Sequence, residues 1–151
     1  MKPANVNIGK TGSELRWGFL EGIDIGREGD PYLDRLRIIQ SPLCSIYLHH
    51  IHRPDIEIDP HDHPWSFISI VITGDYTEEV WPDKRDSSLS YTSWRRRWSA
   101  HKMDRESAHI ITETRKPLWT LVITGPKRTS WGFWRNGEFT PWRKYMNVRS
   151  L

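Results

Sequence analysis

The chain has 151 residues, 27% of them charged and 36% hydrophobic, a size that suits one globular domain with a real core and not two comfortable ones. No apolar run approaches the ~20 residues that a membrane-spanning helix needs, and 22 basic against 19 acidic residues leave a net charge of +3, too mild to require a nucleic-acid partner. A single cysteine, Cys44, excludes internal disulfides and cysteine-rich zinc clusters, so any metal must be held by nitrogen and oxygen.

The opening segment MKPANVNIGKTG is polar and contains glycine, so residues 1–13 read as a flexible, irregular arm and residues 14–151 as one domain. No apolar stretch follows its lysine; no secretory signal is expected, and a cytoplasmic setting follows by default. A one-turn helix fits residues 16–22. Beyond it, short β-like segments alternate with turn residues, and no long 3.6-residue period emerges. The pattern predicts strands at 32–40, 44–52, 65–73, 75–81, 90–98, 107–113, 118–124 and 131–135. Asp59 with Pro60, Gly74, Pro82 with Asp83, Lys116 with Pro117, Gly125 with Pro126, and Asn136 with Gly137 supply the turns. Such spacing predicts an all-β fold: a sandwich, jelly roll or small barrel. FISIVITG and LWTLVITG, nearly all apolar and β-branched, are the expected central strands. Nine tryptophans call for a large aromatic core or an aromatic-lined cavity.

The chemistry concentrates in PHDHPWSF, residues 60–67. Side chains alternate across a strand, so His61 and His63 point one way and Asp62 the other. Two imidazoles on one face make half a metal site, and His109 in SAHIITE offers a third from another strand. The bland alternative is three polar residues at a barrel mouth with no metal.

At these residues the chain resembles the cupin superfamily. HDHPWSFISIVITG matches the first cupin motif in spacing, with His61, His63 and Gly74 in place and Phe67 where a glutamate ligand is usual. DRESAHIITE matches the second more loosely, with His109 in place, Asp104 and Glu106 at the proline and glycine positions, and Glu113 at the asparagine position. HDHPW, GDYTEE, LVITGP and WGF together look like a set of small cupin-like proteins from bacteria and their phages. The resemblance implies a double-stranded β-helix, the jelly-roll barrel. It also implies a divalent ion held by His61, His63 and His109, with iron first and zinc, manganese or nickel open.

A three-histidine set resembles the thiol dioxygenases, whose ion keeps open positions for substrate and oxygen. That likeness asks for an arginine to hold a substrate anion, Arg35 or Arg105, and a tyrosine near the metal, Tyr47 or Tyr76. Glu113, four residues after His109, should share its face and serve as a general base or fourth ligand; an exposed strand end or an internal salt bridge with an arginine is the simpler reading.

Other stretches have structural readings. In YTSWRRRW, Trp94, Arg96 and Trp98 take one face and Arg95 and Arg97 the other, which reads as tryptophan packing beneath a solvated arginine ladder. In HHIH, His50 and His52 share a face near a strand end and read as structural or cavity-rim residues. Asp62 is expected to accept a hydrogen bond, Phe67 to fill the core, and Cys44 to lie inert in an apolar strand.

The expected function is a metal-dependent cupin enzyme of oxygenase type, a dioxygenase, acting on a small anionic molecule. The alternative is a non-catalytic cupin that binds a nucleotide or sugar in an aromatic cavity. Sugar-nucleotide isomerisation has no motif of its own here, nucleic acid is not an expected partner, and edge pairing into a homodimer stays open.

Overall fold

The computed structural model describes residues 18–27 and 30–146, with side chains from residue 31 onward; the arm expected over residues 1–13 lies outside the described residues. The fold is built from antiparallel strands β1 (Gly18–Arg27), β2 (Asp30–Gln40), β3 (Ser45–Ile51), β4 (Phe67–Trp81), β5 (Tyr91–Arg95), β6 (Ala100–Met103), β7 (Ala108–Thr124), β8 (Gly132–Arg135) and β9 (Glu138–Pro141), followed by the short helix α1 (Trp142–Tyr145). No helix among the described residues is long and apolar enough to cross a membrane.

Two pairs of expected strands are in fact single long ones. Gly74 does not end a strand: β4 runs through it from Phe67 to Trp81, and β7 runs through the cis Lys116–Pro117 peptide from Ala108 to Thr124. The ladder between them shifts register between Thr73 and Asp75, where Gly74 takes φ +68°. Glycine is required there, because a Cβ would lie 2.3 Å from the Arg115 carbonyl oxygen and 2.6 Å from that of Pro117. β1 replaces the helix expected to reach residue 22, and β6 and β9 add two short strands to those predicted.

The bend makes β4 and β7 members of two facing layers. Their outer halves, Phe67 to Thr73 and Leu118 to Thr124, continue the ladder β1, β2, β3 and carry β6. Their inner halves pair with β5 on one side and meet His61 on the other, through a bridge to His109. His61 also bridges Phe133, which brings in the β8–β9 hairpin.

The core lies between these layers. Val80 from one layer packs with Tyr47, Phe67, Met103 and Val122 from the other, and Tyr76 and Ile111 pack with Leu33, Ile51, Val71 and Leu118. Val71 and Leu118 are fully buried, each worth about 1.5–3 kcal/mol of apolar burial. The expected all-β, jelly-roll architecture is the one observed.

Candidate metal centre

The HDH segment is a seam between β7 and β8. His61 N donates to the His109 carbonyl and His109 N to that of His61, both at 3.0 Å, while Asp62 N donates to the Gly132 carbonyl at 3.0 Å. Alternation then sends the two imidazoles inward and Asp62 the other way. Asp62 is buried, accepts from Gly132 N at 2.8 Å and pairs with buried Lys84 Nζ at 2.9 Å. It therefore fixes the seam from behind.

Donor nitrogens of His61, His63 and His109 all lie within 4.8 Å of one another, and Nε2 of His63 and His109 are 2.9 Å apart. Ligands on a tetrahedral ion at about 2.0–2.1 Å stand a little over 3 Å apart, so the three converge as a metal requires. Phe67 sits edge-on to His63 at 4.9 Å, and Phe133 and Trp131 flank His61 at 6.1 and 6.3 Å. Burial in this aromatic cage holds the His61 imidazole at about 4, against the pull of Asp55, and drives His63 well below the usual histidine range, with His109 and His61 adding to the effect. Neutral imidazoles keep their lone pairs for an ion.

Behind His109 stands Glu78, fully buried, whose Oε2 accepts from His109 Nδ1 at 2.6 Å. A ligating histidine ordinarily hands its second nitrogen to such a carboxylate, which sets the tautomer and aims the other nitrogen at the metal. Glu78 Oε1 accepts from Arg95 Nε at 2.6 Å and lies 3.8 Å from His101 Nε2, which is itself 3.3 Å from the Tyr76 hydroxyl. Burial raises the Glu78 carboxyl, but the hydrogen bonds and charges of His109, Arg95 and His101 outweigh it and hold the group at about 2. On the far side, Asp55 Oδ2 accepts from Ile111 N at 2.7 Å and lies 4.0 Å from His61 Nδ1.

The remaining candidates divide. Arg35 faces the interior: its Nε donates to His49 Nε2 at 3.0 Å, and its guanidinium lies 4.9 Å over Tyr47, which stacks on Trp65 at 6.2 Å. Burial lowers its pKa, and its charge is felt at His63. Among the described residues no carboxylate pairs with it. Tyr76 is interior as well but touches His101, so it reaches the three histidines only through Glu78.

Arg105 and Glu113 are not brought to the site. Arg105 lies in the β6–β7 turn, half exposed beside Glu106 at 3.4 Å. Glu113 is exposed and pairs with Arg115 at 3.5 Å. The cause is a bulge: Thr77 opposes Glu113 and Glu78 opposes Ile111, so Thr112 is an extra residue that reverses the parity of β7. His109 and Ile111 share the inner face with Glu78 and Val80, whereas Glu113 joins Thr77 outside.

Two further readings are corrected. Arg95 is the inward residue of WRRRW, whereas Trp94 and Trp98 are exposed, each against a neighbouring guanidinium, at 4.3 Å from Arg96 and 5.3 Å from Arg97 respectively. Cys44 is exposed in the turn before β3, where its carbonyl accepts from Ser41 Oγ at 2.9 Å. Nothing in the sequence marks Arg95, Asp55 or His49; of Glu78 and Glu79, one must face inward in a regular strand, and it is Glu78.

Two surface cavities, of about 280 and 230 Å³, open beside the β8–β9 hairpin. Asp59 and Arg135 line both, and the three histidines line neither.

No family model matches the sequence, and no curated protein matches it. Solved structures share its fold. Hydroxypropylphosphonic acid epoxidase from S. wedmorenis superposes with a TM-score of 0.51 at 9% identity, over 70% of this chain and 55% of its own. Streptomyces albus HEPD, with 2-hydroxyethylphosphonate and Fe(II) bound, gives 0.56 at 10% identity, over 72% of this chain and 24% of its own. A point variant of Streptomyces PAC13 with uridine gives 0.55 at 9% identity, over 82% and 92%. This chain thus spans about half the epoxidase and nearly all of PAC13. At such identity the likeness concerns the fold alone, an antiparallel β-barrel of jelly-roll type, and within it the three histidines form a donor set suited to a divalent ion.

Proposed function

We propose that this protein is a small metal-dependent enzyme of oxygenase type, a dioxygenase, acting on a small anionic molecule, with a divalent ion held by His61, His63 and His109. The carrying observation is the convergence of three donor nitrogens within 4.8 Å, backed by Glu78 on His109. Iron is the first choice, supported by the Fe(II)-bound neighbour HEPD of the same fold. When bound, such an ion would supply the redox and Lewis-acid chemistry that activates oxygen.

The chain's own groups do the rest. Glu78 fixes the His109 tautomer. Arg35 meets the anion: among the described residues its one side-chain hydrogen bond runs from Nε to His49, which leaves the terminal N–H groups to grip a carboxylate or phosphonate bidentately. Phe67, Trp131 and Phe133 keep water from the imidazoles, and Tyr76, whose hydroxyl burial raises well above the usual range, stays protonated beside His101. The test is elemental analysis of tag-free protein and of its His61→Ala and His109→Ala forms, followed by oxygen uptake with small phosphonates, carboxylates and thiols. Near-stoichiometric iron and turnover, both lost in the variants, are expected; unchanged turnover in both variants overturns the reading.

A second reading, a non-catalytic barrel that binds a nucleotide or sugar, is favoured by PAC13, a neighbour with uridine whose length this chain nearly matches. Thermal stabilisation by uridine that persists after chelation and in His109→Ala supports it over an enzyme.

A further inference from the structure

We infer that Asp34, His50 and His52 form a second divalent-metal site, of the zinc, nickel or copper type, on the outer face of the β2–β3 ladder. Asp34 and His50 are register partners across that ladder, and His52 follows β3 on the same face, with its N–H bonded to the Tyr32 carbonyl at 2.9 Å. Their donor atoms lie within 4.8 Å of one another. One carboxylate oxygen, Asp34 Oδ2, is the focus, 2.6 Å from His52 Nε2 and 3.5 Å from His50 Nδ1. These two distances bracket the separation of ligands on a small ion, so modest rotamer adjustments admit one.

The donors are also held in place and open to solvent. His50 stacks on Trp119 with centroids 4.3 Å apart and planes 2° from parallel, and the two imidazoles lie 4.2 Å apart at 53°. Side-chain exposures of 26% for His50, 24% for His52 and 44% for Asp34 give an ion access and leave room for water as a further ligand. Two imidazoles and one carboxylate form a borderline donor set that prefers zinc, nickel or copper over magnesium or calcium. The set lies back to back with the interior pair Arg35 and His49, on adjacent residues of the same two strands. An ion here would clamp the strands that present Arg35.

The site is tested by zinc titration against a chromophoric chelator, using tag-free, EDTA-stripped full-length protein. The parent is expected to take up about two equivalents, and Asp34→Asn, His52→Ala and His109→Ala about one each. The His52→Ala/His109→Ala double variant should take up none. Copper should quench tryptophan emission in the parent, with a component lost both in His52→Ala and in Trp119→Phe. If the interior site takes no zinc, the parent and His109→Ala both hold one equivalent and His52→Ala none, which still supports the outer site. Equal stoichiometry and affinity in the parent, Asp34→Asn and His52→Ala overturn it.

Discussion

Glu78 Oε2 stands 2.6 Å from His109 Nδ1, and this contact turns a histidine that happens to face inward into one aimed at its two neighbours. Glu78→Gln keeps the shape and removes the charge. Metal affinity at the interior site is expected to fall about 10–100-fold, as it does when outer partners of ligating histidines are removed. Competition with a chelator in the His52→Ala background measures it, and an unchanged affinity would mean that Glu78 serves Arg95 alone.

Arg35 is expected to act on substrate and not on metal. Arg35→Gln should leave interior metal content at the parent level and lower kcat/KM for an anionic substrate by about 10- to 150-fold, the worth of a lost charge-assisted pair at roughly 1.5–3 kcal/mol. Arg35→Lys should recover little of this, since an ammonium does not reproduce the fork. Paired elemental analysis and kinetics separate the two effects.

Asp62 and Lys84 test the seam. Both are buried, and removing the carboxylate strands a buried ammonium whose other acceptor is the Arg105 carbonyl at 2.7 Å. Asp62→Ala should destabilise the fold by about 3–5 kcal/mol. Denaturant unfolding of the metal-free chain reads this directly, and a loss below about 1 kcal/mol would show that the pair is dispensable.

The metal-free protein should weaken in mild acid. Burial, the largest cause for both, holds His61 and His101 at about 4 in the folded state, below the ordinary 6.5. Between those values the unfolded chain binds more protons, so their contribution is complete above about pH 6.5 and is lost as pH falls through about 4, at up to about 1.4 kcal/mol per unit for each histidine. Unfolding midpoints measured from pH 7 to 4 should decline steadily, and His101→Asn should flatten the slope. A midpoint that rises toward pH 4 has the wrong sign for buried neutral imidazoles.

Gly74→Ala probes the bend. The backbone there is left-handed and the Arg115 and Pro117 carbonyls occupy the space a methyl would need; the expected loss exceeds about 1 kcal/mol. A Tm equal to the parent's would show that the bend relaxes freely.

Much of this is legible in the sequence, and the limits have specific causes. His61, His63 and Asp62 follow from period-two alternation, which is local. The expected all-β fold follows from the frequency of turn residues. Glu113 goes wrong because a single inserted residue, Thr112, reverses the alternation, and a bulge has no signature in the run HIITETR. Gly74 and Pro117 look like strand ends by composition, yet they mark a bend at which both strands carry on into the second layer. Arg95 appears solvated in isolation, and only the cross-strand position of Glu78 explains its burial.

The sequence separation of the residues that build the interior site orders events as the chain emerges. The contacts that assemble the interior site join residues far apart: 46 positions for His63 and His109, 31 for Glu78 and His109, and 70 for Asp62 and Gly132. Closing such loops comes late and slowly in folding. A nascent chain on the ribosome carries the HDH segment long before His109 exists to meet it, and longer still before Gly132 exists to hold Asp62. By contrast, Asp34, His50 and His52 sit within one early hairpin.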